Sequence, residues 1–306
     1  MEPSERGFNL KPSRPEGRAP KPSIVTLPDS NGPFRTLLDF LKARFPHVPE
    51  PLWRQRLECG DITNEKGAPM GIETPFQPSM RLFYYREVEK EPLVPFQEKI
   101  LFEDDRLIAA VKPHFLPVTP SGPYVNECLL YRLRERTGRE EIAPLHRIDR
   151  ETAGIVLFSV HKKTRGAYQR LFDSGSVRKR YEAVGGPPLI PGEREWMIES
   201  RIEKGDPFFR MEERAGAVNA KTAFRLMDEA DGSARYEVRP ATGKKHQIRI
   251  HMCRICSGIK NDRYYPNLLP ESRDDFTRPL KLLAKEIAFT DPLSGEERLF
   301  LTEASL

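Results

Sequence analysis

Residues 146–160, HRIDRETAGIVLFSV, place six charged or polar side chains directly before an apolar run. The run after Gly154 is short, nearly continuous and rich in β-branched residues, which is typical of a strand covered on both faces. The polar residues before it then form a loop at the mouth of a buried sheet. Because a rigid element positions such loops, they often carry functional side chains. The stretch therefore predicts both a central strand and a candidate site.

Asp149 is the candidate reactive group of this loop. It lies between Arg147 and Arg150, whose charges favour its ionised form. An aspartate that is held ionised can act as a nucleophile, a base or an electrostatic stabiliser. The alternative is a structural salt bridge within the loop, which is the commoner case for an isolated Arg-x-Asp-Arg. The rest of the chain has to decide between the two.

Composition limits the class of protein. A chain of 306 residues with 31% charged residues is long enough for two domains, and its mean hydropathy of -0.59 is that of a soluble protein. No apolar stretch approaches the ~18 residues of a membrane span, and the first residues lack the apolar centre of a signal peptide. Four cysteines do not suggest a disulfide scaffold. We therefore expect a cytoplasmic protein without a membrane partner.

Positive charge is concentrated around the polar loop. Residues 146–181 contain nine Lys or Arg and three acidic residues, a net charge of +6, against +5 for the whole chain. A basic concentration around a candidate active loop favours a polyanionic substrate, most commonly nucleic acid. A solvated charged face is the alternative.

The chain divides into three segments by pattern. Seven prolines among basic and small residues predict a disordered, basic tail over residues 1–33. Residues 34–92 predict a small domain with two helices followed by two short strands. A linker with two prolines follows. Beyond residue 98, six short strands with few helices predict an α+β domain with a large mixed, mostly antiparallel sheet.

Two later segments add candidate residues. In residues 177–186, strand periodicity places Tyr181 on the same face as Lys179, and a tyrosine in a basic setting can stack on a nucleobase. A half-buried strand tyrosine without that role is the commoner case. In residues 240–259, a Thr-Gly turn leads into a helix whose buried stripe is Ile248, Met252, Ile255 and Ile259.

Arg249 lies at the border of that stripe, where its head can reach an adjacent cleft and pair with a partly buried carboxylate. Cys253 and Cys256 have the spacing of half a zinc site. Neither a second cysteine pair nor a spaced histidine pair completes the four ligands. We therefore expect no metal.

The three segments together resemble a known family. HRIDRETAG, KRY and TGKKHQIRIH are similar, in order and approximate spacing, to motifs of the RluA family of pseudouridine synthases, His-Arg-Leu-Asp-x-x-Thr-Ser-Gly, Lys-x-Tyr and Thr-Gly-Arg-x-His-Gln-Ile-Arg-x-His. VKPHFLPVTPSG and LLAKEIAFTDPLSGE resemble two further family segments. The resemblance covers residues from about 98 to 306 and implies the pseudouridine synthase fold, with helices flanking the sheet and a central cleft. Residues 34–92 resemble, more weakly, a small ribosomal-protein-type RNA-binding module.

The resemblance implies roles for three catalytic residues. Asp149 matches the catalytic aspartate, Arg249 the arginine that pairs with it, and Tyr181 the tyrosine that stacks on the target base and assists proton transfer at C5. The implied reaction breaks the N1 glycosidic bond of uridine, turns the uracil and rejoins it through C5. It needs no cofactor. Whether the aspartate attacks C1′ or removes a sugar proton stays open.

The resemblance also implies RNA contacts and a partner. Arg147 matches the residue that fills the space left by the flipped nucleotide, and the other expected RNA-binding residues are Arg150, Thr152, Lys179, Lys244 and His246. The expected partner is RNA, with ribosomal large-subunit RNA the first choice and transfer RNA the second. We expect a monomer that uses no nucleotide cofactor.

Departures from the family pattern concern three places. Ala153 replaces a serine, Lys244 replaces an arginine and loses bidentate geometry, and SGIKNDRYYP stands where the family has Gly-His-Pro and Gly-Asp-x-x-Tyr-Gly. We expect the last departure to affect target preference more than chemistry. The rival hypothesis is a catalytically silent RNA-binding or ribosome-assembly protein, which would need the basic residues but not Asp149. A nucleoside hydrolase is a weaker third hypothesis.

Overall fold

The computed structural model describes residues 17–30, 32–46 and 48–306. Two units are separable by their internal contacts. The smaller unit contains the described residues up to Pro92 together with Ser121–Asn126, and the larger contains Leu93–Pro120 and Glu127–Leu306. Every helix in the described ranges is too short or too polar to cross a membrane.

The smaller unit contains a three-stranded antiparallel sheet and two helices. Its elements are β1 (Ser23–Thr26), α1 (Leu37–Arg44), α2 (Glu50–Glu58), β2 (Ile62–Thr63) and β3 (Arg81–Tyr84), with sheet order β1-β3-β2. Helix α1 begins after Thr36, whose hydroxyl accepts from the Asp39 amide while the Asp39 carboxylate accepts from the Thr36 amide. The core of this unit is built around the buried side chain of Trp53.

The position of β1 corrects the predicted disordered tail. This strand lies within residues 1–33 and pairs with β3, Val25 opposite Leu82, so the prediction was wrong for residues 23–26. The β-branched pair Ile24 and Val25 supplies local strand propensity, which the surrounding prolines masked. Residues 1–16 of the predicted tail lie outside the described residues.

A second difference concerns residues 121–126, which belong to the smaller unit although we predicted an unbroken second domain over residues 98–306. Hydrogen bonds within the smaller unit explain this placement. The Glu91 carboxylate accepts the backbone amides of Val125 and Asn126 at 2.5 and 2.6 Å. The Asn126 side chain donates to the carbonyl of Arg18 at 3.0 Å. These contacts are long-range and leave no local pattern.

The larger unit contains an 11-stranded sheet and three helices among its described residues. Its elements are β4 (Lys99–Glu103), β5 (Leu107–Lys112), α3 (Leu129–Thr137), β6 (Ala143–Pro144), β7 (Ala153–Ser159), α4 (Lys162–Asp173), β8 (Arg178–Gly185), β9 (Glu195–Lys204), β10 (Met211–Arg214), β11 (Ala220–Ala230), β12 (Ser233–Pro240), α5 (Gln247–Ile255), β13 (Leu282–Thr290) and β14 (Glu297–Leu301). The main order is β10-β9-β11-β12-β8-β13-β7-β5-β4, while β14 pairs with β13 and β6 with β7. Only the β7–β13 pairing is parallel among the described strands, so the predicted mixed, mostly antiparallel sheet is confirmed.

Strand β7 is the central strand that the apolar run predicts. All seven of its residues are buried. Gly154 has φ +121°, and a Cβ there would lie 2.3 Å from the carbonyl oxygen of Ala284 on β13. Only glycine allows this close backbone approach, which places the preceding polar loop at a fixed position beside β13.

Helix α5 carries the apolar stripe, but it is shorter than predicted. Ile248, Met252 and Ile255 pack in one core cluster with residues of β8, β11 and β12. The helix ends at Ile255, because Cys256 is extended. Ile259, predicted as the last residue of the helical stripe, is nevertheless buried in the same cluster.

Candidate active site

An open cleft of about 700 Å³ joins the three sequence segments. It is lined by eight of the nine predicted site residues: Arg147, Asp149, Thr152, Lys179, Tyr181, Lys244, His246 and Arg249. Lys245 adds a fifth cation, and Asp149 is the sole carboxylate among the described lining residues. The cleft therefore combines one carboxylate with a strongly basic wall.

His146 supports the polar loop structurally. Its Nε2 accepts a hydrogen bond from the backbone amide of Leu157 at 3.1 Å, and its ring stacks on Phe172 at 4.9 Å. Burial, with a smaller effect of Lys179, lowers the pKa of His146 to about 3. The imidazole is thus neutral and accepts from the strand rather than exchanging protons in the cleft.

Two side chains at the end of β5, those of Lys112 and His114, fix the backbone beside Asp149. Lys112 is fully buried, and its Nζ donates to the carbonyl of Arg150 at 3.0 Å. His114 Nδ1 lies 2.6 Å from the carbonyl of Glu151. Burial lowers the pKa of Lys112 to about 7, against the opposing charges of Glu151 and Asp149. The two residues after Asp149 are therefore held by their carbonyls.

Arg249 is the charged partner that faces Asp149. Its Nη1 lies 3.5 Å from Asp149 Oδ2 and 3.6 Å from Glu151 Oε2. His246 Nε2 lies 4.0 Å from the other Asp149 oxygen. Burial, helped by the charges of Arg249 and Lys245, lowers the pKa of His246 to about 3. The histidine is therefore neutral, and the predicted proximity of Arg249 and Asp149 is present.

The strongest bonds of Arg249 go to Asp262, a residue that sequence reasoning did not single out as a site residue. Nε and Nη2 of the buried guanidinium donate to the two carboxylate oxygens at 2.7 and 2.6 Å. The carboxylate also accepts the amides of Tyr264 and Tyr265 at 2.8 and 3.1 Å. Burial alone lowers the pKa of Arg249, but Asp262 with Asp149 and Glu151 raises it above the usual value. Arg249 thus stays charged, with Nη1 left without a hydrogen bond.

The segment NDRYYP supports Arg249 in a second way. The guanidinium carbon lies 4.8 Å from the ring centre of Tyr264 and 5.5 Å from that of Tyr265. The Tyr265 hydroxyl lies 2.9 Å from His246 Nδ1. We interpreted this departure as a matter of target preference, but the structure places it around the cation that faces Asp149. The acidic residue 13 positions after Arg249 was the available signal.

Arg150 is the predicted site residue that does not line the cleft. Its guanidinium donates to both oxygens of Asp274, at 2.6 and 3.0 Å, and to Glu151 at 3.1 Å. Asp274 and Glu151 therefore pair with the positive charge of Arg150, which we expected to act on Asp149 and to bind RNA. The placement therefore does not support Arg150 as an RNA-binding residue.

The remaining predicted residues differ in exposure. Tyr181 and Lys179 lie on β8, half-buried, and both face the cleft. Burial raises the pKa of Tyr181, with a contribution from the charge of Asp149, so its hydroxyl stays protonated. Arg147 is exposed, whereas the Thr152 residue is 2% exposed.

Two further motif residues of α5 act structurally. Gln247 Oε1 accepts from the Thr242 hydroxyl at 2.7 Å and from the Lys244 amide at 3.1 Å, which closes the Thr-Gly turn. Its Nε2 donates to Thr222 on β11 at 2.8 Å. His251 Nδ1 lies 2.8 Å from the same Thr222 hydroxyl. These bonds explain the Gln and the last His of the motif.

Comparison with known proteins agrees with this geometry. The family model described as RNA pseudouridylate synthase matches residues 106–253. The uncharacterized RNA pseudouridine synthase slr1592 of Synechocystis sp. is 30% identical over 230 residues, 75% of this chain and 79% of that protein. The dual-specificity RNA pseudouridine synthase RluA of Haemophilus influenzae is 29% identical over 219 residues, 68% of this chain and 94% of that protein.

The solved structures give the fold. Human RNA pseudouridylate synthase domain containing 1 superposes with a TM-score of 0.56 at 19% identity, over 70% of this chain and 86% of that one. This confirms the pseudouridine synthase fold. The named relatives give no support to a catalytically silent protein. The chain belongs to the RluA family of RNA pseudouridine synthases, and it is an enzyme that isomerises uridine to pseudouridine in RNA.

Proposed function

We propose that Asp149 is the carboxylate that reacts with the target uridine, with Arg249 as its charged partner and Tyr181 as the ring that stacks on the uracil. The observation that carries the proposal is the position of Asp149, which faces the basic cleft beside a buried arginine that Asp262 already holds at 2.6–2.7 Å. A cation that is fixed in this way can stabilise negative charge at the reacting centre without having to move.

Each group has a defined part in the isomerisation. The N1–C1′ bond breaks, the uracil turns, the C5–C1′ bond forms, C5 loses a proton and N1 gains one, so that the product is an isomer of uridine. Asp149 acts in its ionised form, whether it attacks C1′ or removes a sugar proton. Because the Tyr181 hydroxyl stays protonated, it supports the base by stacking and hydrogen bonding rather than as a free phenolate base.

The basic wall supplies the binding energy for an extruded nucleotide. Flipping a uridine out of a stack costs a few kcal/mol, which phosphate contacts and stacking offset. Arg147 is exposed at the cleft, where it can occupy the space that the base leaves. Lys179, on β8, and Lys244, which follows Gly243, line the same cleft and extend the basic wall.

We propose that the substrate is ribosomal large-subunit RNA or transfer RNA. We also propose that the enzyme is a monomer and acts in the cytoplasm. The name of one relative, a dual-specificity RNA pseudouridine synthase, supports a family that accepts more than one RNA. Mapping pseudouridines in both RNA classes of a deletion strain and its parent tests the target. A position that is lost in the deletion strain and restored by the wild-type gene, but not by Asp149→Asn, identifies it. Complete maps that are identical in the two strains would contradict both RNA classes.

Tyr181→Phe is expected to lower the single-turnover rate by about tenfold or more while RNA affinity changes by less than threefold. The ring remains and can still stack, but the protonated hydroxyl beside Asp149 is lost. The measurement is pseudouridine formation at saturating RNA from the deletion strain, with binding measured separately. Full rate with weakened binding would show that the hydroxyl has no chemical role.

We further propose that the smaller unit, the predicted RNA-binding module, contributes phosphate contacts. Two arginines of α2 are poorly suited to this role, because Arg54 pairs with Glu50 at 2.9 Å and Arg56 is buried. Arg35 and Arg44 are exposed and form no ion pair with a carboxylate of the described residues. They are the better candidates for phosphate binding.

Neutralising both, Arg35→Gln with Arg44→Gln, should weaken RNA binding and reduce the slope of log K against log salt by about 1 to 2. Arg54→Gln is the matched control, since Arg54 is already paired with Glu50. Affinity measured over a roughly sixfold range of salt concentration, from about 50 to about 300 mM, gives the slope. An unchanged slope in the double variant would exclude these two arginines from the RNA interface.

A further inference from the structure

The tip of the β9–β10 hairpin carries two aromatic side chains, of which Phe208 is exposed and Phe209 is half-buried. Residues 205–210, GDPFFR, connect the two strands. Phe208 is 81% exposed, the most exposed large apolar residue of the described chain. Its ring lies edge to face with that of Phe209 at 5.6 Å. Because Phe208 is exposed, packing in the core of the larger unit does not explain why two phenylalanines stand at this tip.

A continuous row of rings connects this tip to the catalytic cleft. Phe209 lies 5.4 Å from Tyr264, and Tyr264 lies 5.7 Å from His246, measured between ring centres. His246 in turn lies 4.0 Å from Asp149. Three ring-to-ring contacts therefore connect Phe208, the exposed end of the row, to His246, which lies next to Asp149.

The tip is fixed rather than loosely attached. Lys245 Nζ donates to the carbonyl of Phe209 at 2.8 Å. Within the loop, the Gly205 amide donates to the Arg210 carbonyl at 3.1 Å. The Tyr265 hydroxyl bonds both the amide and the carbonyl of Met211, at 2.7 and 2.9 Å. A stacking partner would therefore order little more of the backbone on binding.

Four cations without a carboxylate partner lie at the hairpin tip or in the cleft that the aromatic row reaches. Arg147, Lys244, Lys245 and Arg210 form no ion pair with a carboxylate of the described residues, and the first three line the cleft. Lys245 and Arg210 each donate to a backbone carbonyl, and Arg210 lies 5.0 Å from the ring centre of Tyr265. An exposed ring near cations that no carboxylate neutralises is a pattern that binds single-stranded nucleic acid, since bases stack on the ring and phosphates meet the cations.

We propose that the exposed ring of Phe208, supported by Phe209, forms a stacking site for an unpaired nucleobase in the RNA strand that carries the target uridine. The proposal rests on the proposed function, in which the target uridine binds at Asp149, and extends it. A stacking platform accepts any base that is unpaired, because every base has a π-face. The site therefore favours target uridines whose strand has an unpaired base that can reach Phe208.

The test separates stacking from general affinity. Binding is measured by fluorescence anisotropy with two labelled probes, a decamer of uridine and a decamer of abasic ribose phosphate. Phe208→Leu keeps an apolar side chain but loses the ring, and Phe208→Tyr keeps the ring. Leu299→Ala is the control, because Leu299 is 64% exposed on β14 and does not line the cleft.

Phe208→Leu should bind the uridine decamer about tenfold more weakly and the abasic decamer unchanged. Phe208→Tyr and Leu299→Ala should bind both probes as the wild type does. Equal loss on both probes, no loss on the uridine probe, or a changed oligomeric state of Phe208→Leu in light scattering would each overturn the proposal. Asp149→Asn, measured in parallel, separates the two proposals. This variant should keep the preference for the uridine probe whether or not Asp149 is the reactive group. The binding result for Phe208→Leu therefore tests the stacking site independently of the role of Asp149.

Discussion

Asp149→Asn is expected to lower the rate of pseudouridine formation by about a thousandfold or more while RNA affinity stays within about threefold of the wild type. The substitution removes a charge at nearly constant volume. The carbonyls of the two following residues remain held by Lys112 and His114, so the loop keeps its shape. Arg249 stays bound to Asp262. What is lost is the reacting carboxylate.

The measurement is single-turnover conversion of uridine in total RNA from the deletion strain. Asp274→Asn is the matched control, because it also neutralises a carboxylate bonded to an arginine of the polar loop, Arg150, but outside the cleft. We expect the control to retain its rate within about threefold. If Asp149→Asn converted uridine at more than a small fraction of the wild-type rate, Asp149 would not be the reactive group.

The sequence predicted the elements whose cause is local. An apolar, β-branched run after a glycine predicted β7, and residues spaced three or four apart predicted α5. The three motif segments met in one cleft as expected. Strands β4, β6, β9, β10 and β14 of the larger unit and helix α3 were not predicted. Strand β6 has only two residues, and charged residues flank or interrupt the apolar residues of the other four strands. Helix α3 has charges at four of its nine positions.

The sequence also misplaced two charge partners. Arg150 neighbours Asp149 in sequence, yet its guanidinium meets Asp274, 124 positions away. Arg249 was expected to pair mainly with Asp149, yet its two best hydrogen bonds go to Asp262. Sequence proximity predicts an electrostatic influence, but a bidentate bond needs a specific orientation that only the tertiary structure defines. Asp262 lies in SGIKNDRYYP, the segment that departs from the family pattern, and its role depends on that orientation.

Asp262→Ala is expected to destabilise the larger unit by about 3–5 kcal/mol, because it leaves the buried guanidinium of Arg249 without its bidentate partner. The folded variant should also lose catalytic rate by about a hundredfold, since the two hydrogen bonds that orient the Arg249 guanidinium toward Asp149 are then lost. Urea unfolding gives the first quantity. Single-turnover conversion at a temperature where the variant is folded gives the second.

Two further variants distinguish orientation from stability. Asp291→Ala removes another buried carboxylate, bonded to Tyr168 at 3.0 Å away from the cleft residues, and should lose stability but keep its rate when folded. Asp262→Leu combined with Arg249→Met removes both charges and should recover much of the lost stability, yet stay inactive. If folded Asp262→Ala kept the wild-type rate, Arg249 would not depend on Asp262 for its position. If the double variant were active, neither Arg249 nor Asp262 would be needed for the reaction at Asp149.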